Sequence, residues 1–204
     1  KIKKKKLSHI QNIFFLHQIC KKNGTLPFSG LARCAFIGTS LLNSLKEVKI
    51  ISNNDIKNLY ESIDTISKHI KVDSKNIWKN ASTKKKFIKK YGHLRPLTYS
   101  ISSKNYKENL EKYFPKNSPK KKIKHKKFNF SKVQYEQIDK LLKKQNLKFL
   151  SSDLIQFIKE SIKLREYGKY VFSKCIDEIF SNLITLSKEI KINRDEIDYI
   201  DINS

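Results

Sequence analysis

The chain has 204 residues, which is enough for one ordinary domain or for one domain with a loosely attached half. With 38% hydrophobic and 11% aromatic residues it can bury a core, which excludes disorder throughout, and five glycines and four prolines are too few for a turn-rich all-β protein. The net charge of +25 would suit a polyanion, but only four of the 44 basic residues are arginines, and abundant Lys, Asn and Ile are typical of AT-rich coding sequence.

Methionine is absent and the chain opens on Lys1, so we expect a piece excised from a larger multi-domain protein. The basic start lacks the apolar stretch of a secretory signal, and no window reaches the roughly 20 apolar residues of a membrane span. Cys20, Cys34 and Cys175 are too widely spaced for a disulfide framework or a zinc site, which indicates a reducing compartment. These features predict a cytoplasmic protein with no metal site and no membrane partner.

The first half of the chain predicts four helices, over residues 7–22, 30–46, 53–70 and 82–91. Residues 23–27, which contain a glycine and a proline, are expected to break the chain between the first two. Asn53, Asn54 and Asp55 are expected to cap the third helix, and Gly92 to end the fourth. An irregular segment should follow over residues 93–101, where a proline favours extended backbone before it.

The second half opens on residues 115–130, which predict a mobile Lys-rich loop or linker. A shorter amphipathic helix is expected over 131–145. The strongest pattern runs from 151 to 191 and predicts a rod of about 60 Å, or two helices kinked near Gly168. A last short helix is expected over 194–197. The predicted fold class is all-α, mainly α-helical: an irregular helical domain with one long C-terminal helix.

One candidate segment is the apolar stretch 27–40, which contains a single arginine, Arg33. A buried guanidinium needs an anionic partner. That partner is either the carboxylate or phosphate of a ligand, helped by free amides at a helix N-terminus, or an acidic residue of the chain in a structural salt bridge.

A second candidate segment, 90–99, places His93, Arg95 and Tyr99 in a short irregular stretch. Irregular segments that rigid helices hold in place often carry binding groups. His93 can exchange a proton near neutral pH, and Arg95 can clamp an acid bidentately. The alternative is a helix cap and a turn, with Tyr91 and Tyr99 filling the core. The chain shows no Gly-rich phosphate loop and no zinc spacing, so no catalytic, ATP-binding or metal-binding residue is predicted in it.

These two segments resemble a known family. Residues 32–42 (ARCAFIGTSLL) are similar to the pattern ARHAFIAxSFL, and residues 87–101 (FIKKYGHLRPLTYSI) to FLxRYGHLRPGTYDI. Both patterns occur in phosphohistidine-swivel kinases related to phosphoenolpyruvate synthase, which include the L-glutamine kinases of capsule polysaccharide phosphoramidate biosynthesis. Residues 163–172 resemble the long helix of that family. The chain departs at Leu97, where the family has glycine, and at Ser100, where it has aspartate, which leaves the acceptor open.

The resemblance implies that residues 1–204 form a single helical substrate-binding domain of an ATP-dependent dikinase-type phosphotransferase. ATP and Mg are then expected on a separate ATP-grasp domain, the reactive phosphohistidine on another domain, and no cofactor on this chain. The small-molecule acceptor, such as L-glutamine, would lie against Arg33, His93, Arg95 and Tyr99. By position, the arginines would hold its carboxylate or the incoming phosphoryl group, and His93 and Tyr99 would orient its amide.

Two alternatives stay open. A basic helical nucleic-acid-binding module is favoured by net charge, but it would need basic residues interleaved with aromatics on one face. The Lys-rich stretch 116–127 lacks such interleaving, so nucleic acid is not the expected partner. A structural helical adaptor would instead place the arginines in internal salt bridges.

Overall fold

In a computed structural model, residues 8–117 and 127–199 are described, and their regular structure is entirely helical, which confirms the predicted all-α class. Within these ranges no helix is long and apolar enough to cross a membrane. Residues 118–126 of the predicted Lys-rich loop lie outside the described residues. The α-helices are α1 (His9–Ile19), α2 (Leu26–Glu47), α3 (Asn53–Ser62), α4 (Ile66–Asp73), α5 (Ala81–Tyr91), α6 (Leu110–Tyr113), α7 (Lys132–Lys144), α8 (Ser151–Glu189) and α9 (Arg194–Ile197).

The break predicted between the first two helices is wrong. A π-helical turn, Cys20–Thr25, joins α1 to α2, and the Leu26 amide donates to the Lys21 carbonyl across this wider turn. Gly24 serves close packing here and is not a C-cap, because a Cβ on it would lie 2.9 Å from Phe172 Cβ. The proline is the second residue of α2 and directly follows this π-helical turn.

The third predicted helix is divided. Ser52, not Asn53, caps α3, with its hydroxyl accepting from the Asp55 amide at 3.1 Å. Ile63 adopts an extended conformation, with φ −70° and ψ 129°, which ends α3 before α4 begins. The apolar spacing continues through both helices, so periodicity alone did not reveal this corner.

Helix α8 confirms the long C-terminal helix. It runs through 39 residues, about 58 Å, and Gly168 does not interrupt it. The Ser151 amide donates to Asp139 at 2.7 Å, and the Leu150 amide to Asp153 at 3.2 Å, which satisfies donors at its start. The short helix α9 begins after its N-cap Asn193, as predicted.

Three helices end on a residue other than glycine in the left-handed region. Lys49, Asn146 and Lys191 have φ of 61°, 56° and 60° and follow α2, α7 and α8. After each of them the next amide bonds back to a carbonyl five residues earlier, at 3.0, 3.0 and 2.9 Å, as in a Schellman motif. A glycine-poor chain thus ends its helices with side chains that are strained in this conformation.

The described chain packs as two compact units. Unit 1 holds residues 8–27, 70–117 and 169–199, and unit 2 holds 28–69 and 127–168. The assignment of residues 1–204 to one substrate-binding domain stays a prediction.

The core of unit 2 lies where α2, α3, α7 and the first half of α8 meet. It is entirely aliphatic apart from one aromatic ring, and its buried members are Leu42, Leu45, Ile51, Leu59, Phe130, Ile138, Leu142, Leu154, Ile155 and Ile158. Gly38 lets α2 approach α8 closely, since a Cβ there would lie 3.0 Å from Ser161 Oγ. The opposite face of α2 is exposed.

The core of unit 1 contains an aromatic cluster beside α5. The Phe87 ring lies 5.0 Å from Tyr91 and 5.1 Å from Phe114. Trp78, the only tryptophan of the chain, donates from Nε1 to the Phe114 carbonyl at 2.8 Å. Tyr91 is fully buried and donates its hydroxyl to Asp73 at 2.8 Å. This cluster fixes the end of α5, from which the candidate site segment emerges.

Candidate functional site

The irregular segment after α5 closes on itself through backbone hydrogen bonds. The Tyr106 amide donates to the Leu94 carbonyl at 2.8 Å, and the Lys107 amide to the Gly92 carbonyl at 3.1 Å. Gly92 is buried, and a Cβ on it would lie 2.4 Å from the Ile88 carbonyl oxygen. The glycine therefore allows the chain to turn tightly out of α5 into the segment that carries His93, as the predicted irregular stretch required.

His93 is held against helix α8 within unit 1. Its Nε2 lies 3.1 Å from the Tyr170 carbonyl oxygen, and because a carbonyl only accepts, Nε2 carries the proton. Partial burial lowers the pKa of His93, and the positive charges of Lys174 and Arg95 lower it further, against opposing effects of the Tyr170 carbonyl and Asp177. The imidazole is therefore neutral at pH 7, with Nδ1 left as an acceptor.

Arg95 is buried in an internal ion pair, with 3% of its side chain exposed. Its Nη2 donates to Asp177 Oδ1, which also accepts from Asn105 Nδ2 at 3.0 Å. The guanidinium carbon lies 4.7 Å from the centroid of the Phe180 ring. A second guanidinium nitrogen, Nη1, is buried and has no hydrogen-bond partner among the described residues. The site thus contains a fixed cation with an unpartnered nitrogen among the described residues.

A second ion pair supports the first. Arg194 at the start of α9 donates to both carboxylate oxygens of Glu108, at 2.8 and 3.3 Å. Burial raises the pKa of Glu108, but hydrogen bonds from Arg194 and from the Asn105 amide outweigh it and hold that pKa below its usual value. Because Asn105 contacts both Asp177 and Glu108, the two pairs form one network.

The two departures from the family pattern have different surroundings. Ser100 donates to Asp198 at 2.8 Å, and the Ile101 amide donates to the same carboxylate at 3.0 Å. An aspartate at position 100 would repel Asp198, so serine fits the acid that this chain places there. Leu97 is 65% exposed and lies at the outer surface of the segment.

Tyr99 does not fill the core, contrary to one reading of the sequence. It is 64% exposed, and its ring lies nearly parallel to that of Phe172, with centroids 6.5 Å apart. Partial burial raises the pKa of its phenol. The hydroxyl is therefore a proton-carrying donor at the edge of unit 1.

Arg33 lies elsewhere. It is exposed and stands seven residues after the start of α2, so the expectation of a buried guanidinium beside free helix amides is wrong. The physical reason is that α2 begins at Leu26, earlier than predicted. His93, Arg95 and Tyr99 belong to unit 1 and Arg33 to unit 2. Its place in the acceptor site stays a prediction.

Sequence reasoning missed Asp177, Asn105 and Glu108. Tyr170, Lys174 and Asp177 share one face of α8 by spacing alone. The pairing of Asp177 with a guanidinium 82 residues away leaves no local signal.

No group of three or more metal-ligating side chains occurs in the part of the chain that the structure describes. No protein-family model, no curated protein and no solved structure matches this chain.

Proposed function

We propose that this chain holds the acceptor of an ATP-dependent dikinase-type phosphotransferase, with L-glutamine as the acceptor. The phosphoryl group would arrive from a phosphohistidine on another domain. The observation that carries the proposal is the buried, unpartnered Nη1 of Arg95 within the segment that resembles the family motif. An unmet buried donor costs about 1–3 kcal/mol, which an acidic ligand group reaching it would recover.

The arrangement suits an acid at one end of the acceptor. Asp177 fixes one edge of the Arg95 guanidinium, so the free nitrogen is positioned before any ligand binds. The α-carboxylate of L-glutamine is a matched partner, because it accepts charge-assisted hydrogen bonds from guanidinium groups.

His93 suits the amide at the other end. With Nε2 committed to the Tyr170 carbonyl, its Nδ1 can accept a proton from the amide nitrogen, which is a poor nucleophile. As that nitrogen forms its bond to phosphorus, the bond from phosphorus to the carrier histidine breaks and the amide proton passes to Nδ1. The depressed pKa of His93 keeps the imidazole in the form that can accept it. The exposed Tyr99 hydroxyl would donate to the amide oxygen.

The test is calorimetric titration of the full chain with L-glutamine. Saturable binding is expected, weakened at least about tenfold by Arg95→Lys, which keeps the charge but lacks the fork, and by His93→Gln. 4-Aminobutanamide, which lacks the α-carboxylate, should bind no better to the parent than L-glutamine binds to Arg95→Lys. Circular dichroism checks that each variant is folded. Equal affinity for the two ligands, or no binding of L-glutamine, would contradict the proposal.

A structural helical adaptor is the second candidate, and one observation favours it. Arg95 and Arg194 both form internal ion pairs, which is what that alternative expects of the arginines. An adaptor needs no acceptor. Absence of binding of any amide ligand in the calorimetric titration would therefore favour the adaptor over the kinase domain.

A further inference from the structure

The four arginines of the chain have two kinds of surroundings. Arg95 and Arg194 are paired with carboxylates in unit 1. Arg33 and Arg165 are exposed in unit 2, and no acidic side chain pairs with either among residues 8–117 and 127–199. The chain otherwise carries its positive charge on lysine, so the planar guanidinium fork at these two positions is a distinct chemical feature.

One aromatic ring, Phe36, contacts Arg165 and shares the exposed face of α2 with Arg33. The Arg165 guanidinium carbon lies 5.5 Å from the centroid of Phe36, so the cation lies against the ring. Arg33 precedes Phe36 by one helical turn and lies on the same exposed face of α2. Phe36 is 63% exposed and its neighbour Ile37 is 54% exposed. The face therefore combines two cations with an accessible aromatic surface.

The chain does not neutralise this face locally. The only acidic residue of α2 is Glu47, at its far end. On α8 the residues one turn away from Arg165 are Ser161, Ile162, Gly168 and Lys169, none of them acidic. An anionic ligand would meet two guanidinium groups here without first displacing a carboxylate.

We propose that Arg33, Phe36 and Arg165 form a site in unit 2 for a phosphate ester with a flat apolar body. Two guanidinium groups on one face offer two positive charges and several planar N–H donors to a doubly negative phosphate. Contact with Phe36 holds Arg165 in place, and the exposed ring with Ile37 offers the surface against which a flat body would stack. This goes beyond the acceptor site of unit 1. Arg33 was also predicted from the sequence as an acceptor residue, so Phe36 and Arg165 are the residues to test.

The probe is phenyl phosphate, titrated into the full chain at low salt with calorimetric detection. Saturable binding is expected, at least about tenfold weaker in Arg165→Ala and partly restored in Arg165→Lys. Lys132→Ala is the matched control. Lys132 is also in unit 2 and its side chain is 91% exposed, and its substitution removes the same single positive charge. It should leave the affinity unchanged. Equal loss in Lys132→Ala and Arg165→Ala, or no binding to the parent, would overturn the site.

Two further ligands separate the parts of the probe. Inorganic phosphate tests the charge alone and phenol the ring alone; both should bind more weakly than phenyl phosphate. Phe36→Ala should lower the affinity for phenyl phosphate but not for inorganic phosphate. Phenol binding as tightly as phenyl phosphate would overturn the role of the arginines. An unchanged affinity of Phe36→Ala for phenyl phosphate would overturn the proposal that a flat body stacks on this ring. L-Glutamine binding should be the same in Arg165→Ala as in the parent, so failure here is distinguishable from failure of the acceptor site.

Discussion

Arg95 and Asp177 form a buried ion pair that ties the irregular segment after α5 to helix α8 in unit 1. Their side chains are 3% and 18% exposed, so water screens the pair little. The same carboxylate oxygen accepts from Asn105, which extends the contact across the segment. One acid therefore fixes two parts of the segment that carries His93.

Breaking this pair should destabilise the protein strongly. Asp177→Asn leaves a buried guanidinium uncompensated, at an expected cost of about 3–5 kcal/mol in the free energy of unfolding. Urea unfolding followed by circular dichroism measures it. The exposed pair of Lys132 and Glu136 at 3.9 Å is the control, and Lys132→Ala should change stability little. A similar effect of the two substitutions would contradict the importance of the buried pair. Arg95→Ala should likewise unfold the protein more easily, which is why Arg95→Lys is the better binding variant.

Stability should depend on pH through His93. Its pKa is lowered by burial in the folded state, while the unfolded value is about 6.5. Above pH 6.5 the residue is neutral in both states and its contribution is fully present. As pH falls from 6.5 toward the lowered pKa, the unfolded state takes up the proton first, so stability is lost. His93→Gln should remove this part of the pH dependence in urea titrations. If the free energy of unfolding depends on pH identically in the parent and in His93→Gln below pH 6.5, this role of His93 is contradicted.

Gly92 should not tolerate a side chain. Gly92→Ala brings Cβ within 2.4 Å of the Ile88 carbonyl oxygen, and backbone must shift to relieve the contact. We expect a loss of roughly 1–3 kcal/mol, the usual range for overpacking. Gly30→Ala is the control, because nothing lies within 4 Å of its Cβ and alanine favours a helix by about 0.5–1 kcal/mol. The midpoint of thermal unfolding should fall for Gly92→Ala and rise for Gly30→Ala. A shift in the same direction for both variants would contradict the crowding at position 92.

The left-handed residues that follow three of the helices offer sites at which the protein can be stabilised. Lys49→Gly should raise stability by up to about 1–2 kcal/mol, because glycine adopts the left-handed conformation without the Cβ penalty. Lys49→Ala removes the same charge but keeps Cβ, so it should bring no such gain. Chemical denaturation of both variants checks this, and equal stabilities would show that φ 61° at Lys49 carries no strain.

The sequence predicted those parts of the fold that depend on local pattern. The long helix α8 and the Asn193 cap of α9 followed from spacing and capping alone. The π-helical turn at Cys20–Thr25 did not, because Gly24 and its proline also fit a helix break, and only the nearness of Phe172 decides between them. The extended Ile63 was hidden for the opposite reason, since the apolar spacing runs on across it.

The candidate site divides in the same way. The irregular conformation of His93 and Arg95 was predicted from a glycine and a proline nearby. The acid that pairs with Arg95 was not, because sequence separation erases any pattern between them. The burial of Arg33 was predicted wrongly, because two of its apolar neighbours in sequence, Phe36 and Ile37, are themselves exposed on α2.

The position of Trp78, whose indole donates a hydrogen bond to the Phe114 carbonyl, has a consequence for the fluorescence of the protein. The chain has one tryptophan and it lies in unit 1, with Lys84 and Lys116 close to its ring. Indole emission during denaturation therefore reports on unit 1 alone, whereas ellipticity reports on the helices of both units. Comparing the midpoints of the two signals would reveal whether the units melt together, with no label added to the protein.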